Sequence, residues 1–590
     1  MASIDYLVVV VYLAVSLAVG FWFVRRASRS TNEFFISGRN LPWWLAGTSM
    51  VATSFAADTP LYVVGLTLAA GISGNWQWWS FAAGGMFSVF LLSRLWRRAA
   101  VVTDVELTEL RYAGEPAAAL RGIRAAYLAL PVNCISMAWV ILGFVKIAEV
   151  LFGWHPLIST GVCAALTLSY CVVSGFWGVV VTDFLQFIVA MVGSIVLCVL
   201  AVGEAGGLGA IASAASTEVR AGASLLAFFP SVPSFSSVLT RDFWETGFAA
   251  FMVFVFVQWW ANKNADGGGD VVQRMLAAKN ERHAMLASFW FNIANYALRP
   301  WPWILVALAA LVLIPGVNQM KPEDLEYVYP MMIRDYVPAG LMGLLVASLI
   351  GAFMSTIDTK LNLGSAYLVN DVYRRFIRRD ASEKHYIAVS RLASVALMLI
   401  ASGIALTFNS IRGLFTFLLS FSSGFGIVHL LRWFWWRVNA WSEISAIVAT
   451  AVIATVLELL SGVLGLTGQG VLFFTVVGSA AVWVPVTFLT APVERGRLIA
   501  FYRKVRPYGA WGPVAREAGV PPARGLAWLL VVWVAGTVMV LGATFAIGKF
   551  LLMEPVAGWL WLTAAYSGML VVALEVFRRR APAEGPHDVA

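Results

Sequence analysis

Long apolar blocks separated by short polar connections dominate this chain, and many of the blocks reach the roughly 20 residues that a helix needs to cross a hydrocarbon core about 30 Å thick. No stretch shows the alternating apolar and polar positions of a barrel strand. Within lipid each backbone polar group must be satisfied inside its own segment, so helices are the reading that remains. The pattern predicts an all-α polytopic membrane protein with about 15 transmembrane helices. They fall at roughly 4–24, 42–70, 75–96, 122–150, 157–175, 177–202, 244–263, 284–314, 338–370, 387–408, 411–435, 440–461, 470–490, 524–548 and 555–577.

Composition agrees. Of 590 residues, 60% are hydrophobic and 12% are charged, whereas about 25% are charged in a typical soluble domain. A net charge of +9 raises nucleic acid as a partner, but no folded basic module with interleaved aromatics is present. The basic residues cluster in short connections, where they set topology. The groups are Arg25, Arg26, Arg29 and Arg39; Arg94, Arg97 and Arg98; Arg374, Arg375, Arg378 and Arg379; Arg495, Arg497, Arg503, Lys504 and Arg506; and Arg578, Arg579 and Arg580. Alternation puts them all on one side. Glu323, Asp324, Glu326 and Asp335 fall on the other. This predicts an N-terminus outside, a cytoplasmic C-terminus and residence in a bacterial inner or plasma membrane.

The first apolar run has Asp5 before it and Arg25 and Arg26 after it. A secretory leader has the reverse order and a shorter core, so this is a membrane helix. Cys134, Cys163, Cys171 and Cys198 lie in apolar segments and read as packing residues. Two connections are long: one from about Gly203 to Asp242, rich in Ala, Ser and Gly, expected as an external cap, and a basic cytoplasmic one near 491–524. No soluble catalytic or signalling domain is expected.

Two segments are chemically interrupted. The first holds Ser54-Phe55-Ala56-Ala57-Asp58-Thr59-Pro60. Pro60 cannot donate a backbone bond and crowds the preceding turn, so the helix should unwind there; a plain proline kink would not need the charge of Asp58. The second holds Gln258-Trp259-Trp260-Ala261-Asn262-Lys263-Asn264-Ala265-Asp266-Gly267-Gly268-Gly269-Asp270, too polar and glycine-rich for regular helix. Each would open a five-helix group. The expected organisation is a leading helix and loop (1–41), a first inverted repeat (42–202), the cap (203–243), a second inverted repeat (244–435) and four trailing helices (436–590).

Four motifs carry a resemblance. Phe34-Phe35-Ile36-Ser37-Gly38-Arg39-Asn40-Leu41-Pro42-Trp43 resembles the entry motif of the sodium/solute symporters, which include sodium/proline, sodium/galactose and sodium/sialic acid transporters. Val272-Gln273-Arg274-Met275-Leu276-Ala277-Ala278-Lys279 looks like the cytoplasmic motif after the second broken helix. Gly351-Ala352-Phe353-Met354-Ser355-Thr356 looks like the sodium-site helix, and Asn370-Asp371-Val372-Tyr373-Arg374 like its cytoplasmic end. The resemblance implies the leucine-transporter-type fold, with sodium as the transported co-substrate.

Sodium wants oxygen ligands carrying little charge if it is to leave again. The resemblance implies carbonyls from Ala56, Thr59 and Ala352 and hydroxyls from Ser355 and Thr356. From spacing alone, Ser355 and Thr359 lie one turn apart with Ala352 on the same side, which makes either an inward stripe or hydroxyls bonded to the preceding turn. The resemblance further implies a second sodium or proton site at Asp183, Ser355, Asp358 and Thr359. Asp358 departs from the family's hydroxyl there; it either strengthens the site or pairs with Lys360 or Arg299 and abolishes it. Asp58 matches an aspartate that organises the first broken helix.

Solute candidates are Gln77, Trp78, Asn133, Gln258, Trp259, Asn262 and Arg299. Amides and tryptophans suit a sugar or related polar solute, whereas Arg299 suits an organic acid or amino acid. The histidines are scattered and no His/Cys/Asp group has ligand spacing, which argues against an enzyme. The reading is sodium-coupled symport of a small polar organic solute by alternating access, the alternatives being proton coupling on the same fold or a channel.

Overall fold

The computed structural model describes residues 2–22, 35–220, 223–234 and 241–578. Phe34 of the entry motif and Arg25, Arg26, Arg29, Arg579 and Arg580 lie outside the described residues, as does the side chain of Cys171. Cys134, Cys163 and Cys198 are buried free thiols.

All of the predicted apolar segments are helical. In chain order they are α1 (Ser3–Trp22), the pair α2 (Trp43–Thr53) and α3 (Asp58–Ala70), α4 (76–99), α5 (Gly114–Phe152), α6 (Pro156–Glu204) and the pair α7 (Gly247–Ala261) and α8 (Gly269–Ala277). There follow α9 (Glu281–Leu313), α10 (Leu341–Ile377), α11 (Glu383–Ala405), the pair α12 (Ile411–Ser422) and α13 (Gly426–Phe434), α14 (Ala440–Leu464), α15 (Gly468–Leu489), α16 (Leu526–Leu551) and α17 (Pro555–Arg578). The helices expected at 157–175 and 177–202 lie in the single element α6. Among the described residues, nine helices are long and apolar enough to cross a membrane, or eleven if the bent pairs α2/α3 and α12/α13 each count as one span.

Both predicted interruptions are present. Helix α2 ends at Thr53 and α3 begins at Asp58, with a 58° bend between them. Pro60 falls in the first turn of α3, where its missing N–H costs nothing, so the chain breaks just before the proline rather than at it. Gly143 of α5 lets this joint pack closely: a Cβ there would lie 2.7 Å from the Cα of Asp58. The second joint turns through Gly267 (φ +110) and Gly268 (φ +60), left-handed conformations that residues with a side chain rarely adopt.

Buried charges pin the second joint. Asp266 accepts from Arg432 (2.5 Å) and from the Trp433 indole (3.3 Å), while its carbonyl accepts from the Trp96 indole at 2.7 Å. Arg432 also reaches Glu443 at 3.4 Å, and Glu443 accepts from Tyr112 at 2.7 Å. Elsewhere Glu326 accepts from Lys146 (2.6 Å) and from the N–H groups of Ile411 (3.0 Å) and Arg412 (2.9 Å), which caps α12 with a carboxylate at the positive end of its dipole. A buried charge is tolerated only when it is paired and hydrogen-bonded in this way.

The two long connections are folded. Residues 203–234 include a helix, Leu208–Ser216, and a two-strand hairpin, and Leu225 accepts from Ile72 N–H at 2.9 Å. The basic connection forms Arg495–Val505 and Gly512–Ala518, with the Trp511 indole bonded to the Trp433 carbonyl at 2.8 Å and the Arg111 guanidinium 4.7 Å from the Trp511 ring centre. It is anchored into the bundle rather than lying free on the surface.

Candidate functional site

The two joints face one another across a cavity of about 370 Å³, lined also by α4, α5, α9, α10 and α12. Its size lies within the range of small-molecule sites. Of the residues singled out from the sequence, Ala56, Asp58, Thr59, Trp78, Thr356, Trp259, Asn262 and Arg299 line it.

The α2/α3 joint and α10 form one wall. The Thr356 hydroxyl donates to the Thr53 carbonyl at 2.9 Å, and Ala56 N–H donates to Thr59 Oγ1 at 3.1 Å. The Thr53 carbonyl at the end of α2 and the Thr356 hydroxyl of α10 therefore meet at the cavity edge, uncharged oxygens of the kind a monovalent cation takes, while the Ala56 carbonyl accepts from Thr59 N–H at 3.1 Å. Ala352 and Ser355 are buried on α10 behind this edge.

Ser355 points towards α6. Its hydroxyl donates to Asp183 Oδ1 at 2.5 Å, and Ser49 donates to Oδ2. The Arg274 guanidinium fills the centre of this cluster. It bonds Ser49 Oγ (3.0 Å), Thr53 Oγ1 (2.8 Å), Thr359 Oγ1 (2.7 Å) and Asp183 Oδ2 (3.2 Å). Three of the four residues expected at a second ion site thus come together, but around an arginine. Asp358 does not join them. It is buried on the α10 face that carries Gly351, seven residues earlier, where Tyr12 of α1 packs. Neither expected partner reaches it: Lys360 bonds Asp270 at 2.5 Å, and Arg299 donates to the Val51 carbonyl at 3.5 Å and lies over the Trp303 ring, 5.3 Å from its centre.

Three solute candidates have other partners and do not line the cavity. Gln258 donates to the Gln77 carbonyl at 2.6 Å and to Ser80 at 3.2 Å, tying α7 to α4. The Gln77 amide is turned to Thr416 at 3.5 Å. Asn133 donates to the Lys360 carbonyl at 2.8 Å. Even Asn262, which lines the cavity, uses its amide on the end of α7, donating to the carbonyls of Gln258 (2.9 Å) and Trp259 (3.0 Å).

The sequence reading missed Lys263, Asp270, Asn292 and Asn295, all on the cavity wall, and the role of Arg274. A lysine within a glycine-rich break at membrane depth was the available signal for Lys263. Asn292 precedes, and Asn295 lies within, a π-helical stretch, Ile293–Leu298, that ends against Pro300. A local widening of this kind leaves no clear mark in helical periodicity.

The sodium:solute symporter family profile matches residues 34–450. The chain belongs to that family. This symporter is 26% identical over 501 residues to sodium/glucose cotransporter 4 of Danio rerio, covering 79% of its own chain and 73% of the relative. It is 25% identical over 486 residues to a sodium/glucose cotransporter of Vibrio parahaemolyticus, covering 78% and 86%. In structure it resembles the substrate-bound outward-open state of a Na+-coupled sialic acid symporter, with a TM-score of 0.66 at 20% identity over 84% of this chain and 99% of the other. The fold is accordingly the leucine-transporter type. The symporter is a multi-pass membrane transporter that couples a solute to sodium, and not an enzyme.

Proposed function

We propose that this symporter takes up a small polar organic solute with one sodium ion, the solute binding in the central cavity. The reading places sodium among the carbonyls of Ala56, Thr59 and Ala352 and the hydroxyls of Ser355 and Thr356. The observation that carries it is the α2/α3 joint, where the chain breaks beside the cavity and the Thr53 carbonyl meets the Thr356 hydroxyl of α10. Arg274 supports a single sodium: its guanidinium already supplies the positive charge that Asp183, Ser355 and Thr359 would offer a second. Aromatic faces such as Trp78, with the amides Asn292 and Asn295, suit a hydroxylated solute of sugar size. By its basic clusters the protein sits in the plasma membrane with its N-terminus outside.

The test is uptake into proteoliposomes at fixed pH, with sodium replaced by choline. Uptake should cease. If it persists and follows an imposed proton gradient instead, the sodium reading fails. Ser355→Ala should raise the sodium concentration for half-maximal response about tenfold, the effect of one ligand worth about 1.4 kcal/mol; an unchanged response counts against the site.

A further inference from the structure

Five charged side chains line the central cavity: Asp58, Lys263, Asp270, Arg299 and Lys360. Three are basic and two acidic. Four of them balance in pairs. Lys360 bonds Asp270 at 2.5 Å across the gap between α10 and α8. Asp58 opens α3, while Arg299 bonds the Val51 carbonyl at the end of α2, so these two charges flank one joint.

Lys263 is the third base, drawn towards Asp270 but not bonded to it, since Asp270 is held by Lys360. It sits in the α7/α8 joint, lines the cavity, and its ammonium has no hydrogen bond or ion pair among the described residues. A cation held at membrane depth without a partner is costly and marks a functional position. The neighbouring geometry favours negative charge too. Gly267 and Gly268 bring bare backbone to the cavity, and the first N–H groups of α8 lack intrahelical acceptors. Two buried side-chain oxygens on the wall, Asn292 Oδ1 and Asn295 Oδ1, also lack hydrogen-bond partners, and they would take hydroxyl donors.

Resting on the symport reading above, we infer that the solute is a hydroxylated organic anion whose carboxylate pairs with Lys263. A neutral sugar would leave the ammonium without a directly bonded counter-charge when the site closes around it. A carboxylate completes the pair and leaves its hydroxyls for the asparagine oxygens. Sodium bound at the α2/α3 joint adds further positive charge, which favours an anion and disfavours a cationic solute.

The full chain in lipid nanodiscs can be tested by thermal unfolding, in sodium and in choline, with two pooled probe sets. One holds small hydroxy, aldonic and uronic acids; the other holds the matching neutral alcohols and sugars. The acid pool should raise the melting temperature beyond the effect of sodium alone, and the neutral pool should not. Lys263→Gln should keep the sodium effect but weaken the acid response roughly thirtyfold or more, as expected when one partner of a buried ion pair is lost. Lys263→Arg should restore most of it. A response to the neutral pool alone, silence to both pools, or an acid response indifferent to Lys263→Gln overturns the inference. An acid response of equal size in choline would instead leave the anion in place and remove the sodium reading.

Discussion

Arg274 is the residue on which the ion chemistry turns. It is fully buried, and four oxygen-bearing side chains converge on its guanidinium. Removing one partner of such a group leaves the other charge uncompensated, at a cost of about 3–5 kcal/mol. Arg274→Gln and Asp183→Asn should each destabilise the protein by that order. The double variant, with no net charge left behind, should lose less than the sum of the two, and thermal or denaturant unfolding of the four proteins closes the cycle. Strict additivity would mean that the two side chains do not act as a pair. The planar fork also explains why a guanidinium suits this place better than an ammonium, since its several N–H groups reach separate oxygens at once.

At the scale of elements, the joints are where backbone carbonyls and amides become available at membrane depth. Their geometry depends on close contacts that the sequence does not announce. Gly143 of α5 touches Asp58 at the start of α3, and a Cβ there would come within 2.7–2.8 Å of three Asp58 atoms. Gly143→Ala must displace α3, so it should cost about 1–3 kcal/mol as an overpacked site does, and sodium-driven uptake should fall with it. Gly161 makes the control. It also lies in a helix, and nothing stands within 4 Å of the Cβ it lacks, so Gly161→Ala should leave uptake and melting temperature nearly unchanged. Equal losses in the two variants would remove the special role of the Gly143 contact. Periodicity revealed the apolar runs, and Pro60 and the Gly267–Gly269 triplet revealed the breaks. The π-helical stretch before Pro300 stayed hidden, because it depends on what packs alongside.

For the whole molecule, the charge carried in each cycle follows from the site. One sodium with one monoanion moves no net charge. A tenfold sodium gradient, about 1.4 kcal/mol, would then hold about a tenfold solute gradient whatever the membrane potential. A neutral solute with one sodium would gain about 2.3 kcal/mol more per 100 mV, for roughly 500-fold accumulation in all. Uptake into proteoliposomes clamped with potassium and valinomycin should therefore reach the same level with and without an inside-negative potential. Accumulation that grows about fiftyfold per 100 mV would require a neutral solute or a second sodium.

What the sequence determined was whatever depends on runs and breaks along the chain. Twenty-residue apolar blocks can only be helices in lipid, an aspartate and a proline at mid-membrane interrupt one of them, and four motifs in order disclosed the family. What only the tertiary structure decided was which polar groups remain available after packing. Gln77, Gln258 and Asn133 look like solute ligands in the sequence, but partners from other helices have taken their amides. Asp358 looks like part of an ion site, yet it lies on the α10 face of Gly351, where Tyr12 of α1 packs, and Arg274 bonds other residues. Lys263 passed unremarked in a polar stretch and emerges as a cavity-lining cation whose ammonium has no hydrogen bond or ion pair among the described residues. The physical reason is common to all of them. A hydrogen bond or ion pair joins residues tens or hundreds of positions apart, and the partner that decides whether a polar group is available comes from another helix.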